Sequence, residues 1–189
     1  MRLSSLRGPA ARLLRCSAVV AAALLPLSAA LPASAAQSTP WRNESDNRCL
    51  DADNSSGLND GAKVAMWGCV IGKNNQTWIW VTENFTYHTF PVVQFEVAGR
   101  PSKCLDADMG TIGADGTKIQ IWQCGDSTKA NQEWVLEPAL SGSGSNLINL
   151  YAREHRGTGN GCLEGSGGDG GRVQLAKCST SSSQVWLTQ

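Results

Sequence analysis

Period-two alternation dominates the chain. Leu105 and Ala107 point one way, while Cys104 and Asp106 point the other. Further on, Ile119 and Ile121 alternate with Gln120, Trp122 and Cys124. The aliphatic set is the core face, so the opposite face carries two cysteines, a carboxylate, an amide and a tryptophan. An earlier segment repeats the pattern, with Leu50, Val64 and Met66 inward and Cys49, Asp51, Trp67 and Cys69 outward. Other short runs rich in Val, Ile, Phe and Trp are Trp78–Val81, Val92–Val97, Trp134–Leu136, Leu147–Tyr151 and Arg172–Leu175. Gly, Asn, Asp and Ser separate them, and helix signals are nearly absent. The pattern predicts an all-β fold with many turns. Ser141–Ser145 and Ser166–Gly171 read as Gly/Ser-rich loops. Before Arg48 there is little apolar beyond Trp41, so the first strand is expected to be irregular.

The strands belong to an internal repeat. Cys49-Leu50-Asp51 leads to Gln76-Thr77-Trp78, Cys104-Leu105-Asp106 to Gln132-Glu133-Trp134, and Cys162-Leu163-Glu164 to Gln184-Val185-Trp186. Each copy runs from a Cys-Leu-acid triplet through a second cysteine to a Gln-x-Trp. The first cysteines are 55 and 58 residues apart. A threefold repeat of this length points to three copies of one supersecondary unit sharing a core. The copies span about residues 37–85, 86–140 and 141–189.

The N-terminal segment stands outside this pattern. Arg2, Arg7, Arg12 and Arg15 precede an apolar run from Ser17 to Leu31, and Ala33-Ser34-Ala35 and Ser34-Ala35-Ala36 offer small-residue cleavage sites. Residues 1–36 read as a secretory signal peptide and 37–189 as the mature domain. A membrane anchor is the rival reading, but Pro26 interrupts the run and Pro32 closes it. Removing the segment takes away four arginines and no acid. That leaves 12 basic against 16 acidic residues, a net charge of −4. This balance argues against nucleic acid or an anionic membrane as main partner, and no later run is long enough to insert in a bilayer. The remaining cysteines are even in number, as in a disulfide-bearing extracellular protein. The repeat selects Cys49–Cys69, Cys104–Cys124 and Cys162–Cys178. Zinc is disfavoured by the wide spacing within each pair, with His88 and His155 the only histidines available. No metal or cofactor is expected.

The Cys-Leu-Asp, the Gly-x-x-x-x-x-Trp-x-Cys run and the closing Gln-x-Trp resemble the ricin-type (R-type) β-trefoil lectin family, grouped with family 13 carbohydrate-binding modules. The resemblance covers residues near 40 to 189. It implies a β-trefoil: three four-strand repeats around a pseudo-threefold axis, forming a barrel capped by hairpins. It also implies that Trp78, Trp134 and Trp186 are core residues.

The resemblance further implies a shallow sugar pocket on each unit. An acid accepts from two adjacent hydroxyls, an aromatic ring stacks on the sugar's C–H face, and an Asn before the Gln-x-Trp donates to a hydroxyl. The Gln orients the acid. Charge-assisted hydrogen bonds and ring contact suit a polyol with one apolar face. By position, the second repeat supplies Asp106, Trp122 and Asn131, with Gln120 and Gln132 in support. The first supplies Asp51, Trp67, Asn75 and Gln76, but has Ala65 where the second has Gln120. The third has Glu164, Ala176 and Ser183 at the acid, ring and Asn positions, retaining Gln174 and Gln184. Its site is expected to be dead, and changing Glu164 is expected to leave binding unaltered. The opposing reading makes the aspartates turn residues and the two tryptophans satellite core.

The expected activity is that of a secreted lectin without catalysis. Its partner would be a polysaccharide or glycan, with galactose- or xylan-type sugars favoured. Single-site affinity should lie on the order of 0.1–1 mM, with avidity from two sites. Paired carboxylates across a cleft, as glycoside hydrolysis needs, are not apparent, and the chain is expected to carry no catalytic domain beyond Trp186. The alternative is a trefoil scaffold with a protein partner, of inhibitor or toxin-subunit type. His88 and His155 have no evident nucleophile and read as structural or solvated. Phe85–Phe90 reads as a hairpin cap between the first two repeats. Asn43, Asn54, Asn75 and Asn84 begin N-glycosylation sequons.

Overall fold

Turn residues cut each repeat into four strands at matching places. The computed structural model describes residues 37–189 apart from 113, 127 and 157–159. The expected signal peptide lies outside the described residues. The first repeat forms β1 (Gln37–Asn43), β2 (Arg48–Ala52), β3 (Val64–Gly68) and β4 (Thr77–Tyr87). The second forms β5 (Phe90–Val97), β6 (Lys103–Ala107), β7 (Thr117–Gln123) and β8 (Glu133–Pro138). The third forms β9 (Ser145–Asn149), a helix α1 (Leu150–Arg156), β10 (Asn160–Ser166), β11 (Gly171–Lys177) and β12 (Trp186–Thr188).

Outer and inner strands of each repeat have different destinations. β1, β4, β5, β8, β9 and β12 pair antiparallel in that order, and β12 returns to β1, closing a six-stranded barrel. Closure leaves no open barrel edge. The hairpins β2–β3, β6–β7 and β10–β11 form a cap. They join through β11–β3, β11–β7 and a bridge from Lys63 to Gln120. Three such four-strand units make a β-trefoil.

The core follows the predicted alternation. Leu50, Val64, Met66, Leu105, Ala107, Ile119 and Ile121 are all buried. Trp78, Trp134 and Trp186 sit at the centre. Each indole N–H donates to the carbonyl of the leucine in its own Cys-Leu-acid triplet: Leu50 at 3.0 Å, Leu105 at 3.1 Å and Leu163 at 2.9 Å. A buried tryptophan needs such a partner. Disulfides join Cys49–Cys69, Cys104–Cys124 and Cys162–Cys178.

Two segments differ from expectation. β1 is a regular strand despite its polar sequence, because barrel closure pairs its backbone with β4 and β12. Trp41 fills its core position, edge-on to Trp80 and Phe95. The run Leu147–Tyr151 divides into the end of β9 and the start of α1. Asn149 Oδ1 accepts from Ala152 N–H at 3.1 Å, an N-cap bond. The residues that follow are good helix formers, and Ala152 packs into the core. This helix replaces the tight turns that join β1 to β2 and β5 to β6. The aromatic segment Phe85–Phe90 forms the β4–β5 hairpin end, turning at His88, whose φ is 56°. Among the described residues no helix is long and apolar enough to cross a membrane.

Candidate functional site

Strand register assembles each candidate site. In β2–β3, Asp51 faces Ala65 and Cys49 faces Trp67. In β6–β7, Asp106 faces Gln120 and Cys104 faces Trp122. In β10–β11, Glu164 faces Gln174 and Cys162 faces Ala176. The acid and the ring position therefore lie diagonally on one hairpin face, within reach of a common ligand. Trp67 and Trp122 are 45% and 40% exposed, so neither is satellite core. The acids sit on the expected face but not at the surface: Asp51 and Asp106 are 5% and 4% exposed.

The loop after each second cysteine covers the acid. In the first repeat it starts at the disulfide-anchored Cys69 and ends at Gln76. Gln76 Nε2 donates to Asp51 Oδ2 at 2.8 Å and to Gly68 O at 3.0 Å, while its Oε1 accepts from Val70 N–H. In the second repeat Gln132 Nε2 donates to Asp106 Oδ2 at 2.9 Å and to Gln123 O at 3.1 Å, and its Oε1 accepts from Gly125 N–H. These glutamines are buried clamps that fix the loop and orient the carboxylate.

The asparagines take a part different from the expected donor. Asn75 Nδ2 donates to Asp51 Oδ1 at 2.9 Å and to Ala52 O at 3.0 Å. Asn131 Nδ2 donates to Asp106 Oδ2 at 2.8 Å and to Ala107 O at 3.1 Å. Both amide hydrogens are engaged, and the remaining polar atom of each is Oδ1, an acceptor. Gln120 Nε2 adds a bond to Asp106 Oδ1 at 3.1 Å, and its Oε1 accepts from Lys118 Nζ at 2.9 Å. A carboxylate has about four acceptor positions. Among the described residues, Asp106 has three internal donors and Asp51 two. The absence of a glutamine at Ala65 therefore leaves Asp51 with more capacity, not less.

Burial pushes both carboxyls above the usual aspartate value. Hydrogen bonds from Gln76 and Asn75, and the charge of Lys73, partly offset this for Asp51. Bonds from Gln132, Gln120 and Asn131, and the charge of Lys129, do so for Asp106. Each carboxylate therefore protonates more readily than an exposed aspartate.

Each acid lies in an open depression, of about 290 Å³ in the first repeat and about 300 Å³ in the second. The lining includes residues missed in the sequence. Lys73 and Lys129, two positions before each asparagine, flank the acids. Comparing the copies carries a signal for them, since the third has Ser181 there. Asp53 and Asp108, two residues beyond each acid, also line the depressions, and Met109 walls the second. Glycines of neighbouring repeats approach the rings: a Cβ on Gly170 would lie 3.8 Å from Trp67, and one on Gly61 3.7 Å from Trp122.

The third repeat keeps the clamp without the ring. Glu164 Oε1 accepts from Gln174 Nε2 and Oε2 from Gln184 Nε2, both at 3.0 Å. Gln184 also donates to Lys177 O at 2.8 Å and accepts from Ser179 N–H. Ala176 provides no stacking surface.

Several solved structures share this architecture. A designed threefold-symmetric protein, ThreeFoil, aligns with TM-score 0.61 and 21% identity over 80% of this chain and 96% of its own. The agglutinin from Abrus precatorius aligns with TM-score 0.60 and 18% identity over 85% of this chain, which spans about half (51%) of the agglutinin chain. A Macrolepiota procera ricin B-like lectin, solved with lactose, aligns with TM-score 0.58 and 15% identity over 84% of this chain and 97% of its own. At these identities the likeness concerns the fold. No curated protein sequence matches the chain. The model of the ricin-type beta-trefoil lectin domain matches residues 37–186, and the chain belongs to that family.

Proposed function

We propose that this chain is a secreted carbohydrate-binding protein that acts without catalysis. Residues 37–189 would form the mature binding domain after removal of residues 1–36. One observation carries the reading: in two of three repeats, a half-exposed indole stands beside a buried carboxylate with unused acceptor positions. Asp51 or Asp106 would accept from vicinal hydroxyls, and Trp67 or Trp122 would cover the C–H face. Asn75 or Asn131 would accept a further hydroxyl at Oδ1. Gln76 and Gln132 would position the acids. Galactose- or xylan-type sugars fit such open, shallow sites.

The second carboxylate in each depression does not suggest a glycosidase. Asp53 accepts from Ser55 N–H, and Asp108 from Gly110 N–H and Thr111 Oγ1. Each is two residues along the chain from the floor acid and engaged in a turn. Hydrolysis instead needs two carboxyls flanking the scissile bond.

A glycan array on the purified protein tests the proposal. Comparison with Asp51→Ala/Asp106→Ala and Trp67→Ala/Trp122→Ala should show binding by the wild type and loss in both variants. If the wild type binds no glycan, a protein-binding scaffold becomes the better account.

A further inference from the structure

The pseudo-threefold axis brings together a group of residues that the two pockets do not explain. Lys63, Lys118 and Arg172 occupy equivalent positions in the three cap hairpins. Arg172 pairs across to Ala65, Lys118 to Gln174, and Lys63 to Gln120. This is one cyclic register repeated around the axis, placing one basic residue per repeat around a common centre. They line a depression of about 290 Å³ with Val64, Ile119 and Val173. Those three are buried core residues and make an apolar floor.

The frame of this pit is held at both levels. Gly61, Gly116 and Gly170 have φ of 82°, 91° and 76°. Their N–H groups donate to Ile121 O, Leu175 O and Met66 O on the neighbouring hairpins. Lys118 Nζ reaches back to Gly61 O, and Lys63 Nζ to Gly170 O, both at 3.3 Å. Lys118 Nζ also donates to Gln120 Oε1 at 2.9 Å, and both lysine heads, held by neutral acceptors, keep further N–H donors. Among the described residues none of the three cations forms an ion pair. Asp53, which feels the charge of Lys63, is bound to Ser55 and does not line the pit. Three like charges that form no ion pair among the described residues, in a domain of net charge −4, are a preformed electrostatic well.

We propose that this axial pit binds an oxyanion of sulfate or phosphate type. Such a group has threefold symmetry of its own, so three oxygens can each take a charge-assisted hydrogen bond from one repeat. The anion has two possible sources: a free inorganic ion, or an ester substituent on a bound glycan. Position favours neither source alone. Lys63 also lines the first sugar pocket, and Lys118 touches Gln120, which touches Asp106. A substituted glycan seated at either pocket would therefore have the pit beside it.

The test is an NMR titration of the ¹⁵N-labelled protein with sodium sulfate, against sodium chloride at equal ionic strength. Saturable shifts are expected at the amides of Val64, Ile119 and Val173 together. Lys118→Gln/Arg172→Gln should weaken the apparent affinity at least tenfold, and Lys177→Gln should not. Retained indole signals of Trp78, Trp134 and Trp186 verify folding. Equal shifts with chloride, or equal losses in Lys177→Gln, would overturn the proposal. So would an unchanged affinity in the folded double variant. A second arm compares a sulfated oligosaccharide with its desulfated form on wild type and Arg172→Gln. A preference for the sulfated form that Arg172→Gln removes identifies the glycan as source. Axial shifts with inorganic sulfate and no such preference identify the free ion. Asp51→Ala/Asp106→Ala should keep the sulfate response, which separates this site from the sugar pockets.

Discussion

Replacing the floor acids should destabilise the protein unequally, in an order set by their internal donors. Asp106 accepts from Asn131 at 2.8 Å, Gln132 at 2.9 Å and Gln120 at 3.1 Å. Asp51 accepts from Asn75 at 2.9 Å and Gln76 at 2.8 Å. Truncation to Ala leaves these buried donors without their acceptor, at about 1–3 kcal/mol each. The low end applies. Asn131 and Gln132 keep their bonds to Ala107 O and Gln123 O, and removing a buried carboxylate relieves part of its desolvation. Asp106→Ala should therefore cost about 3 kcal/mol and Asp51→Ala about 2 kcal/mol. The difference of about 1 kcal/mol corresponds to roughly 2–4 °C in Tm for a domain of this size.

Urea denaturation at neutral pH with disulfides intact measures this directly, provided the m-values agree. The gap should close when Gln120→Ala is added to Asp106→Ala, because the third donor is then gone. Glu164→Ala should resemble Asp51→Ala, since it strands Gln174 and Gln184. The substitution proposed to leave binding untouched is thus predicted to lower stability. If Asp51→Ala costs as much as Asp106→Ala, or the gap survives removal of Gln120, counting donors is the wrong account.

Three other outcomes follow from burial and charge. Trp67→Ala and Trp122→Ala should lose glycan binding with little change in Tm, whereas Trp134→Ala, in the core, should cost about 3–5 kcal/mol; near-equal thermal losses would show the exposed rings to be structural. Because burial raises Asp51 and Asp106, acidification should weaken sugar affinity at a higher pH than an exposed aspartate, near 3.9, would. The same groups contribute opposite behaviour to stability. Their folded forms hold the proton more tightly than the unfolded chain, so their contribution grows as pH falls through that window and is lost as it rises. Calorimetry across the range should find the two trends opposed, and parallel trends would contradict the sign. Glu133 is buried, its Oε1 has no partner among the described residues, and its carboxyl is pushed up to about 7 by desolvation and then by Glu83 and Glu154. Wild-type stability should fall as pH rises through about 7. Glu133→Gln should flatten that slope in pH-dependent denaturation; an unchanged slope would reject the assignment.

Alternation along β2–β3 and β6–β7 was enough to read which side chains share a face, and the repeat made the disulfide pairs legible. The depth of the acids was not legible, because it depends on the loops from Cys69 to Gln76 and from Cys124 to Gln132. Those loops fold back over the hairpin and bury Asp51 and Asp106 beneath their own asparagine and glutamine. The same return turns the asparagine hydrogens inward, which residue type alone does not reveal. β1 was hard to read because barrel closure, not its own apolar content, makes it a strand. α1 was hidden because Leu147–Tyr151 is one apolar run to the eye, although Asn149 caps a helix in the middle of it.

The third repeat explains why an acid persists where a ring has gone. Glu164 holds Gln174 and Gln184, and Gln184 in turn pins Ser179 N–H and Lys177 O beside the Cys162–Cys178 disulfide. The carboxylate is thus part of the clamp that shapes every repeat, whether or not a sugar binds there. In the first two repeats the proposed sugar site gives the same carboxylate a second use, beside an exposed indole that stands diagonally across the hairpin. Under that proposal, binding depends on what surrounds the acid: a tryptophan in place of Ala176, and acceptor positions left vacant by internal donors. By that criterion the two pockets differ in kind. Asp106 sits in the more fully bonded and rigid frame, and Asp51 keeps the larger share of its carboxylate for a ligand.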